Sequence, residues 1–78
     1  MAQVSSNATT AASAVNAGIV TLPEQAGTPS DPAEGTEARL YVKDDKLIAQ
    51  FNDAGTVRYK YLDLTGTGVT WVHTTSAP

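Results

Sequence analysis

The sequence predicts an all-β protein: a small antiparallel meander of three to four strands, preceded by an extended, largely irregular N-terminal arm. Two observations carry this. Residues 37–74 hold four runs rich in β-branched and aromatic residues, with turn residues between them. Every proline except Pro78 falls in residues 22–36, just upstream of those runs.

The first zone, residues 1–21, is built from Ala, Ser, Thr and Asn. These polar side chains hydrogen-bond locally and compete with helix formation. Its sizeable apolar residues are sparse: Met1, Val4, Val15, Ile19 and Val20. Val15 and Ile19 lie four apart, which permits one amphipathic turn. The expectation is an extended or weakly helical arm that orders where it lies on something else. In the second zone Pro23, Pro29 and Pro32, with Gly27 and Gly35, rule out a regular helix or a central strand. It reads as a free linker or as a strap laid over a neighbouring subunit. Residues 1–36 thus form the arm and strap, and residues 37–78 the β module.

Within the module, Asp44-Asp45 is a short break that sets Lys43 against Lys46. Val42 then opposes Leu47, Leu40 opposes Ala49 and Ala38 opposes Phe51, all pointing to one face. The next turn admits two registers. A two-residue loop at Ala54-Gly55 sets Phe51 against Arg58 and puts charge on that face. A three-residue loop, Asp53-Ala54-Gly55, sets Phe51 against Val57, Ala49 against Tyr59 and Leu47 against Tyr61. A one-residue slip inverts every side chain, so the apolar pattern selects the three-residue loop. The predicted self-association face is therefore Leu40, Val42, Leu47, Phe51, Val57, Tyr59 and Tyr61, joined by Trp71 from the last run. The opposite face carries Arg39, Lys43, Gln50, Arg58 and Lys60, interrupted by Tyr41 and Ile48.

With 78 residues and no cysteine, neither disulfides nor thiolate metal sites can reinforce the fold. No predicted helix covers the apolar face, so the sheet is expected to oligomerise. A net charge of −3 argues against nucleic acid or an anionic membrane as partner. No apolar run approaches the roughly 18–20 residues of a spanning helix, and the N-terminus lacks the pattern of a signal peptide. The Asn7-Ala8-Thr9 sequon is then a chance match.

No catalytic, metal or cofactor site is predicted. Asp44, Asp45 and Asp53 sit in turns and lack the spaced ligand series and closing Glu of a calcium loop. His73 is the single histidine, and no Ser or Cys stands in a nucleophile motif beside it. Gly66-Thr67-Gly68 lacks the strand–helix context and lysine of a phosphate loop. Trp71 with Tyr41, Tyr59 and Tyr61 offers a carbohydrate-stacking platform as an alternative to packing in a core or interface.

The segment Ala38-Arg39-Leu40-Tyr41-Val42-Lys43-Asp44, then Lys46-Leu47 and Asn52-Asp53-Ala54-Gly55-Thr56-Val57, resembles a short β-hairpin motif recurrent in bacteriophage virion proteins. It is similar to segments of fibre, tail and head-decoration proteins, over residues 35–64. The resemblance implies a noncatalytic, homotrimeric structural protein of the virion, made in the host cytoplasm. If the 78 residues are the whole product, they favour a head decoration or cement protein over a long fibre. Its arm, with Val4, Val15, Ile19, Val20, Leu22 and Pro23, would then strap the major capsid protein or another virion protein. A short tail or fibre tip and a carbohydrate-binding module are the alternatives.

Overall fold

The computed structural model describes residues 14–78, which form an all-β protein without a helix. Two short strands, β1 (Ala14–Asn16) and β2 (Ile19–Thr21), make a hairpin. Four more strands, β3 (Ala38–Lys43), β4 (Lys46–Asp53), β5 (Thr56–Asp63) and β6 (Val72–Thr74), form one antiparallel meander in chain order. Among the described residues, the β1–β2 hairpin touches none of the meander's strands.

Three tight turns join the hairpins, and all are two residues long with both central residues at positive φ. They are Ala17-Gly18 (54° and 80°), Asp44-Asp45 (50° and 61°) and Ala54-Gly55 (52° and 92°). This is the type I′ signature, whose twist matches that of the flanking strands. The β3–β4 register is the expected one, from Lys43 opposite Lys46 to Ala38 opposite Phe51.

The β4–β5 register is not. Phe51 pairs with Arg58, Gln50 with Tyr59 and Ile48 with Tyr61, so the loop is the two-residue Ala54-Gly55 and not the expected three. Val57, Tyr59 and Tyr61 therefore lie on the face of Tyr41 and Ile48, opposite to Leu40, Val42, Leu47 and Phe51. The reason is visible in the packing: Tyr41, Ile48 and Tyr59 form the buried cluster, with Val57 and Tyr61 against it. Burying Tyr41, Ile48 and Tyr59 together outweighs keeping Arg58 and Lys60 off the aliphatic face, because solvent can reach both cations there.

The cover for that cluster comes from residues 22–35. This strap lies on the chain's own sheet; it is neither a free linker nor, over these residues, a strap on a neighbour. It enters through a parallel bridge between Glu24 and Val42, with the Gln25 amide donating to the Val42 carbonyl at 2.7 Å. It leaves where the Gly35 amide donates to the Asn52 carbonyl at 2.9 Å. Within the strap, Pro32 is fully buried. Prolines suit this role, since a ring without an N–H leaves no donor to satisfy against the sheet and holds φ in advance.

Candidate interaction face

The sheet presents two faces of opposite character. On the strap face, alternate positions of β4 turn polar donors towards the strap's carbonyls. Gln50 Nε2 donates to the Pro29 carbonyl at 3.4 Å and Asn52 Nδ2 to the Pro32 carbonyl at 3.2 Å. Arg39 Nε, from β3, reaches the Ser30 carbonyl at 2.9 Å. Lys43 Nζ bonds both Asp44 Oδ2 (2.9 Å) and the Pro78 main-chain oxygen (3.0 Å), so the last residues return towards the β3–β4 turn. Two side-chain atoms buried here, the Tyr41 hydroxyl and Gln50 Oε1, have no hydrogen-bond partner. Burial, and then the neighbouring Tyr59, push the Tyr41 phenol up; the Thr28 side chain, near the hydroxyl but outside hydrogen-bonding geometry, offsets this in part.

The other face stays open. From β3 and β4 it shows Ala38, Leu40, Val42, Leu47, Ala49 and Phe51, and from β5 Arg58, Lys60 and Leu62. Leu40, on the edge strand β3, is 56% exposed, and Phe51, on the inner strand β4, is 40% exposed. Ala38 and Ala49 have short side chains, and beside them lies a hollow of about 400 Å³ walled by Phe51, Asp53, Arg58 and Lys60. Arg58 Nε bonds Asp53 Oδ2 at 2.8 Å. Lys60 has no hydrogen-bond or ion-pair partner among the described residues. His73 pairs opposite Lys60 on this face. The arrangement is half aliphatic and half cationic, suited to a protein surface that supplies both apolar contact and carboxylates.

The residues predicted to form one self-association face are thus divided. Leu40, Val42, Leu47 and Phe51 share the open face; Val57, Tyr59 and Tyr61 lie on the strap face, with Tyr59 buried. Trp71 precedes β6 and is 50% exposed. The carbohydrate platform does not assemble, because Tyr41 and Tyr59 are buried, and Lys46 Nζ sits 5.7 Å from the centre of the Tyr61 ring. Of the arm residues, Ile19 and Val20 are exposed on β2, Val15 lies in β1, and Leu22 and Pro23 lead into the strap. Val4 lies outside the described residues.

Sequence reasoning placed Arg58 and Lys60 beside Arg39 on the opposite face, whereas the register puts them on the face of Ala49 and Phe51. It also missed the hollow between them and the role of Gln50 and Asn52 in holding the strap. The alternation of Gln50 and Asn52 downstream of a proline-rich stretch was the available signal. Among the described residues no cluster of His, Asp and Glu could hold a metal ion, and no helix is long and apolar enough to cross a membrane. Comparisons of the chain with protein-family models, with curated proteins and with solved structures gave no match.

Proposed function

We propose that this protein is a noncatalytic structural component of a phage virion, a capsid decoration or cement protein that associates with itself and with the major capsid protein or another virion protein. The observation that carries the reading is the asymmetry of the sheet. One face is closed by the chain's own strap, while the other leaves Leu40 and Phe51 in water beside a hollow. Isolated apolar side chains are common on surfaces, but a sheet face with this composition and no cover marks an association surface. The hairpin motif at residues 38–57 directs the reading towards virion proteins.

Because residues 22–35 fold on their own sheet, the part of the arm left to reach a capsid is the segment before them. Its β1–β2 hairpin exposes Ile19 and Val20 and stands apart from the meander's strands. Deleting residues 1–21 should therefore leave a folded, self-associating β module that no longer co-sediments with heads lacking the protein. Normal decoration by the truncated chain would refute the arm's role. Failure of the intact chain to bind heads at all would refute the virion assignment.

A further inference from the structure

We infer that the open face of one copy docks on the acidic outer surface of the strap of a second copy, so that copies associate head to tail. This rests on the reading of the open face as a protein-docking surface and names what it docks on. The cation left without a partner and the exposed strap acids lie on opposite sides of the sheet. Among the acids of β3, β4 and β5, Asp53 alone lies on the open face, and Arg58 already engages it. Glu24, paired with Val42, sits at the far β3 edge of that face, so Lys60 and the rest of the Arg58 guanidinium remain available. Over the strap face lie Asp31 and Glu34, both exposed and neither in an ion pair among the described residues. The cations of that side are engaged: Arg39 donates to the Ser30 carbonyl, Lys43 to Asp44 Oδ2 and the Pro78 oxygen, and Lys46 to the Asp44 carbonyl.

These two surfaces lie on opposite sides of one sheet, so a single copy cannot bring them together. A face-to-face dimer would place the Arg58 and Lys60 side chains of both copies in one interface and leave the strap acids unpaired. Head-to-tail docking brings opposite charges together and buries Leu40 and Phe51 in the same contact. It also sets a strap, raised above its own sheet, against the hollow beside Ala38 and Ala49. Such a contact is heterologous, so it propagates into a closed ring or an open filament according to its rotation.

The test is charge exchange in the full chain, read by light scattering over a concentration series, with circular dichroism confirming each variant's fold. Lys60→Glu should weaken self-association about tenfold or more, as should the pair Asp31→Lys and Glu34→Lys. Combining all three substitutions should restore most of the affinity, because every interface is again complementary. Association of the wild-type chain should also weaken as salt rises. If the strap substitutions leave association unchanged while Lys60→Glu abolishes it, the head-to-tail contact is wrong and the open face docks elsewhere. If the triple variant is no better than the singles, the proposed pairing is wrong. If the wild-type chain shows no association, the inference falls, and head co-sedimentation still decides the virion assignment separately.

Discussion

Asn52 serves two structures at once. Its Oδ1 accepts the Gly55 amide at 2.9 Å inside the β4–β5 turn, and its Nδ2 donates to the Pro32 carbonyl at 3.2 Å under the strap. The two substitutions that separate these roles should differ. Asn52→Asp keeps the turn acceptor and loses the strap donor, while Asn52→Ala loses both. Each lost bond is worth about 1 kcal/mol, so Asn52→Ala should be the more destabilising in urea denaturation. Equal stabilities would show that the turn bond contributes nothing. Tyr41 makes a pH-dependent counterpart. Its phenol is held above the ordinary tyrosine value by burial, so the neutral form is favoured in the folded state. That contribution is fully present below a pH of about 10 and is lost as pH rises through the raised value. Tyr41→Phe removes the titrating group together with an unpartnered buried hydroxyl. The variant should match or exceed wild-type stability at neutral pH and lose less between pH 9 and 11, ranges set by the ordinary phenol value of about 10.

At the scale of elements, the turns carry most of what could and could not be read. The β3–β4 hairpin was legible because alternation on both sides of Asp44-Asp45 points to the same register, and the turn bears two residues that tolerate the left-handed region. The β4–β5 hairpin was not, because both faces of β5 carry apolar or amphipathic side chains. Parity then depends on which set is covered, and the cover is the strap. Proline- and glycine-rich sequence looks the same whether docked or free, so that information was absent locally. Ala54 shows what the register costs: it adopts φ 52° without the freedom of glycine. Ala54→Gly should relieve that conformation and raise stability by about 1 kcal/mol, read as a higher urea midpoint with unchanged slope. A lower midpoint would mean that the loop does not adopt the two-residue form. The fourth strand is shorter than its run, since Val69 and Trp71 remain outside β6 and pairing begins only at Val72.

For the whole molecule, the arrangement is a sheet finished on one side by its own chain and unfinished on the other. The strap closes the aromatic cluster of Tyr41, Ile48 and Tyr59 but leaves the aliphatic and cationic face to be covered from outside. Such a chain gains stability from whatever binds that face, so its unfolding midpoint should rise with protein concentration. Sedimentation equilibrium of the full chain decides whether the open face is a protein-docking surface. The mass should grow to a multiple of 8.1 kDa with concentration and return to that of a folded single copy in Leu40→Asp. A wild-type chain that stays at 8.1 kDa at every concentration, with Leu40→Asp indistinguishable from it, would contradict the account.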